Sequence, residues 1–120
     1  MDVELRWQPG DSSASWVNGG VRIVKDHQEA LQSAVYLDDP PSIVLVESIS
    51  RSGPRNAVVY ELDGTERTRL HPPLLPDPLG FDQVFKSSAG VEAVFITRRG
   101  DFHGTPDLVT GDIRNVHDWR

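Results

Sequence analysis

Four imidazoles, His27, His71, His103 and His117, are the side chains of this sequence best suited to move a proton or hold a metal near neutral pH. None is near another along the chain. The densest chemistry surrounds His103, where Asp101-Phe102-His103-Gly104-Thr105-Pro106-Asp107 places two carboxylates and an imidazole within seven residues. Its glycine and proline predict a loop that turns these groups inward. A metal cage there would draw further ligands from Asp112, His117 or Asp118, but the spacing matches no ligand signature. Acids at this density are ordinary in the turns of an acidic chain, and the plainer expectation is that Asp101 or Asp107 bonds local backbone amides.

Asp38-Asp39 is the other carboxylate pair, and it stands directly before Pro40-Pro41, where it starts a turn and stays wet. General acid or base work needs a carboxyl held in an apolar pocket, which nothing at this pair suggests. The serine clusters Ser12-Ser13-Ser15 and Ser87-Ser88 lie in no G-x-S-x-G elbow. The glycines form neither a dinucleotide fingerprint nor a phosphate loop. Cysteine is absent, which removes disulfides, thiolate zinc sites and cysteine nucleophiles together. No catalytic residue, metal ligand or cofactor is assigned. Trp7 and Trp16 are expected to cover the core or its edge, and Trp119, between Asp118 and Arg120, to be partly exposed as an interface anchor.

The elements that must position these groups are short. A chain of 120 residues fits one domain over 1–120. Hydrophobic residues at 38% are enough for a packed core. Twelve Lys and Arg against 18 Asp and Glu leave a formal charge of −6, which repels phosphate backbones and acidic membranes. A nucleic-acid or membrane partner is therefore not expected. No apolar run approaches a membrane span and the first residues lack a signal peptide's basic and apolar regions, so the protein is expected in the cytoplasm.

Ten Gly and nine Pro fall between apolar runs rather than inside them, which is β punctuation. Val3-Glu4-Leu5-Arg6-Trp7 alternates as a short strand, and Trp16 to Lys25 reads as a hairpin with an Asn-Gly turn. Asp26 with Glu29 makes a capping box before Leu31, Ala34 and Val35, predicting a helix over His27 to Leu37; the rival is a strand over Ser33 to Leu37. Ser42 to Ile49 is a continuous apolar run, hence a strand covered on both faces. Asn56 to Leu70 is a hairpin whose preferred loop is Leu62 to Gly64, with Gly64 left-handed and Glu61 paired to Thr65. That register sets Arg67 and Arg69 on one face as a basic stripe. His71 to Gly80, with four prolines, is an extended connection without ladder bonds. Phe81 to Lys86 alternates with Phe81 and Phe85 on one face, Val91 to Arg98 reads as a central strand, and a last hairpin turns about Thr110-Gly111. The resulting class is mainly β: an antiparallel meander of about 7 to 9 short strands with one short helix.

The stretch Asn56 to Leu70, with Pro72-Pro73, Gly80-Phe81, the Asp101 to Asp107 segment and Thr110-Gly111-Asp112-Ile113 after it, resembles small bacterial immunity proteins of polymorphic-toxin and contact-dependent inhibition systems. The resemblance implies a stoichiometric, non-catalytic inhibitor that binds a cognate toxin domain and occludes its active site. An acidic surface suits that role because many toxin clefts are basic, and it equally suits ordinary solubility. The expected contact residues are Asp38, Asp39, Asp101, Phe102, His103, Asp107 and Trp119, with Phe102 as apolar anchor. Two other readings stay open: a β module binding a peptide at an exposed sheet edge, and a small metal-dependent enzyme built on the His103 segment.

Overall fold

Val44-Leu45-Val46 and Val58-Val59 are apolar at consecutive positions, and a strand can bury such a run only if both of its faces are covered. The computed structural model, which describes residues 3–118, shows how this is met. Ten strands form three antiparallel sheets, each a simple meander: β1 (Ser13–Asn18) with β2 (Val21–Asp26); β3 (Ser33–Leu37), β4 (Ser42–Val46), β5 (Ala57–Tyr60) and β6 (Glu66–Arg69); and β7 (Pro78–Ser87), β8 (Gly90–Thr97), β9 (Gly100–Pro106) and β10 (Ile113–Asp118). Every residue of β4 and β5 is buried. One face, with Val44, Val46 and Val59, packs on Phe81, Val84, Ala93 and Phe95 of the β7–β10 sheet. The other, with Ile43, Leu45 and Val58, packs under Ala14 and Trp16 of the β1–β2 hairpin. Trp16 is fully buried, and its indole N–H is satisfied by the Leu62 carbonyl at 2.7 Å.

The meander and its class are as the sequence predicts, with ten strands rather than nine at most. Several boundaries differ. The helix expected over His27 to Leu37 does not form: residues 33–37 are β3, paired through Val35 opposite Val44, and the chain before it is irregular, tied by Leu31 N–H to the Asp11 carbonyl at 2.9 Å. Ladder bonds to β4 and apolar cover on alternate side chains outweigh a local capping pattern. The one short α-helix is instead α1 (Ile49–Ser52), with a 3₁₀ turn after it at Gly53–Arg55, where a strand end and a loop are expected. The opening strand shrinks to a single bridge between Arg6 and Ser15. In the first hairpin the two turn residues are Gly19-Gly20, with Asn18 paired to Val21.

The β5–β6 hairpin has the expected loop: Glu61 N–H bonds the Thr65 carbonyl at 2.8 Å, and Gly64 has φ +92°, a conformation other residues rarely adopt. Beyond it a bulge intervenes, since Val59 pairs with Thr68 but Tyr60 with Glu66, leaving Arg67 unmatched. One extra residue flips the rest of the strand to the other face. Arg67 therefore reaches Ser42 and Leu108 on one side of the sheet while Arg69 reaches Glu47 on the other, and no basic stripe exists. A bulge between Phe81 and Gln83 does the same to β7: Phe81 stacks edge-on against Phe95 in the core, and Phe85 lies across the sheet beside His103. The ladder of β7 also begins at Pro78, inside the connection expected to be free of ladder bonds.

Candidate partner-binding surface

The segment Asp101 to Asp107 is not a loop. Residues Gly100–Pro106 are β9, a strand running between β8 and β10. At about 3.3 Å per residue, Asp101 and Asp107 stand roughly 20 Å apart, so the expected contact residues fall into two groups at opposite ends of the sheet.

At one end, the turn between β3 and β4 meets the connection between β9 and β10. Asp39, Asp107 and Arg114 rim a cleft of about 270 Å³ whose apolar walls are Pro40, Val91, Pro106, Leu108 and Val109. The walls are locked from behind by Arg67. Its guanidinium donates to Ser42 Oγ at 2.6 Å, to the Pro41 carbonyl at 2.9 Å and to the Leu108 carbonyl at 3.3 Å. It also grips both Glu61 oxygens, at 3.0 and 2.6 Å. That hydrogen bonding raises the arginine's proton affinity and lowers that of the glutamate.

Asp107 acts as a turn residue. Its Oδ1 accepts the Val109 and Thr110 N–H groups at 2.8 and 3.0 Å, and its Oδ2 pairs with Arg114 at 2.9 Å. The backbone N–H groups of Thr110 and Val109, then the Arg114 charge, hold its carboxyl below the usual aspartate range. Asp38 accepts the Tyr36 hydroxyl at 2.6 Å. Asp39 is exposed and bonds nothing among the described residues.

At the far end, Asp101 is exposed and Phe102 half-buried, with Asp118 directly opposite Phe102 on β10. His103 is buried, 4% exposed, with its Nδ1 3.1 Å from Glu92 and its ring between those of Phe85 and His117. It packs among these rings on the outer face of the sheet, with little of its side chain open to solvent. Trp119 lies outside the described residues. Among the described residues no three His, Asp or Glu side chains gather as a metal site. Among the described residues His71 pairs with Asp112 and His103 with Glu92.

The cluster that sequence reasoning missed lies elsewhere. His27 Nε2 is 3.3 Å from Glu47, which also accepts from Ser52 at 2.6 Å and Arg69 at 3.1 Å, beneath a cleft of about 280 Å³. His27 Nδ1 is enclosed without a partner among the described residues. The His27–Glu47 contact ties the exit of the β1–β2 hairpin to the end of β4. Its signal was in the sequence: a glutamate closing an apolar run that is covered on both faces must be paired.

No family model, curated protein or solved structure matches this chain.

Proposed function

We propose that this protein is an immunity-type inhibitor: a cytoplasmic, non-catalytic domain that binds a cognate bacterial toxin domain one to one and occludes it. The observation that carries the reading is the way its charges are disposed. Arg67, Arg69, Arg99 and Arg114 are each held by a carboxylate of the same molecule, whereas Asp39 and Asp101 are exposed and unpaired among the described residues. Each such pair removes one charge of each sign, so the formal charge of −6 is undiminished by it, and Asp39 and Asp101 are two of the carboxylates that display it. Such a surface steers a basic cleft toward it and raises the association rate.

A second reading is favoured by β10, the outer strand of its sheet, with five of its six residues exposed. A free edge accepts a peptide strand. A bulge between Arg114 and His117 interrupts that edge, which weakens its use as a template.

The test is co-expression with the C-terminal domain of the protein encoded directly upstream, which this reading expects to be the toxin. That domain alone is expected to arrest growth, and this protein to restore it and to co-purify in a 1:1 complex. Unrelieved arrest, or no complex between the two, contradicts the reading.

A further inference from the structure

We infer that the cleft between the β3–β4 turn and the β9–β10 connection is the receptor for one large apolar side chain of the partner, flanked in that partner by a lysine or arginine. The inference deepens the immunity reading and rests on it for the partner's identity. At about 270 Å³ the cleft lies just under the roughly 300 Å³ at which pockets for whole small molecules begin. It suits one side chain.

Its walls are apolar, and one of them, Val109, is 59% exposed. An exposed valine beside a concave apolar wall gains from being covered, and interface energy concentrates where such an anchor enters a pocket. The rim supplies the charge. Arg114 is committed to Asp107 at 2.9 Å, so the carboxylate left over is Asp39, with Asp38 beside it. A cation next to the anchor completes the site, and an acid there would be repelled.

The walls are also preorganised, which lowers the cost of binding. Arg67 joins the Pro41 and Leu108 carbonyls, and Asp107 fastens Val109 and Thr110.

The experiment is a titration of the ¹⁵N-labelled protein with acetyl-Lys-Phe-Arg-amide, monitored by amide chemical shifts. Acetyl-Lys-Ala-Arg-amide and acetyl-Glu-Phe-Glu-amide are the controls. Saturable shifts are expected at Asp39, Val91, Leu108 and Val109, with affinity about tenfold above either control. They should vanish in Asp39→Lys and in Val109→Asp, both surface changes. Shifts that do not saturate, that fall elsewhere, or that are equal for the alanine control overturn the inference. The same two variants are then mixed with the upstream-encoded toxin domain. If the wild-type complex forms and both variants bind as tightly, the cleft is wrong and the immunity reading stands. If no wild-type complex forms, that reading fails and the peptide titration alone decides the cleft.

Discussion

Asn56 joins the two large sheets by treating Phe81 as a strand neighbour: its Oδ1 accepts the Phe81 N–H at 2.7 Å and its Nδ2 donates to the Phe81 carbonyl at 2.8 Å. The same Nδ2 donates to the Glu47 carbonyl at 2.7 Å, so a fully buried carboxamide satisfies three backbone groups where β4, β5 and β7 converge. Asn56→Ala leaves those groups dry and unpaired and is expected to cost about 3 kcal/mol or more. Asn56→Asp keeps the acceptor, loses both donors and buries a charge, so it should be no milder. Urea midpoints for the two variants check this.

Burial pushes the Glu47 carboxyl up, but hydrogen bonds from Ser52 and Arg69 and the charges of Arg69 and His27 outweigh it and hold the group below the ordinary glutamate range. A carboxyl lowered by folding contributes stability that is fully present above its unfolded value, about 4.3, and is lost as pH falls through the folded value. Stability should therefore drop from about pH 4.3 downward, and Glu47→Gln should flatten that limb. At neutral pH the same variant removes the carboxylate nearest Arg69, which keeps only the longer Glu66 contact and the Arg55 carbonyl, and is expected to lose about 1–2 kcal/mol. Thermal unfolding across the acid range measures both effects.

Gly111 fastens the β9–β10 connection to the strand edge at β6, with its carbonyl accepting the His71 N–H at 2.7 Å. Its φ is +87°, and a Cβ there would stand 2.5 Å from the Arg69 carbonyl oxygen, which is backbone and cannot yield. Gly111→Ala is expected to cost about 1–3 kcal/mol and to weaken partner binding, because the cleft wall moves with this loop. Unfolding and titration of the complex read the two consequences separately.

Arg67 separates shape from charge. Arg67→Gln makes the molecule more acidic, so charge alone would speed association with a basic partner. It also releases Pro41, Ser42 and Leu108 from one another. Weaker binding is expected, through faster dissociation, while the salt dependence of the association rate is kept. Stopped-flow kinetics at several ionic strengths distinguish the two.

What the sequence revealed was local. The Leu62 to Gly64 loop is legible because a left-handed glycine and the Glu61–Thr65 pair are specified within five residues. The double burial of β4 is legible because its apolar run leaves no wet face. The helix over 27–37 fails because its capping box is a local signal, while Val35 opposite Val44 is a tertiary one. The supposed loop at 101–107 fails at Gly104. That glycine makes room for Ile113, whose Cγ2 would lie 2.4 Å from a Cβ, so it marks a close strand approach and not a turn. The bulges at Arg67 and after Phe81 carry no residue signature, yet each reverses the faces of the residues beyond it. The cleft at Asp39 was half visible: its acids were picked out, but Arg67, which holds the walls, was assigned to a stripe that does not exist.

We propose that this protein acts by covering a partner and transforms nothing itself. Titrating the activity of the upstream-encoded toxin domain with increasing amounts of this protein tests it most directly. Activity is expected to fall linearly to zero at one equivalent, with the break at one equivalent rounded off by Asp39→Lys. Inactivation well below one equivalent, as a catalyst would give, or no inhibition at any ratio, would contradict it.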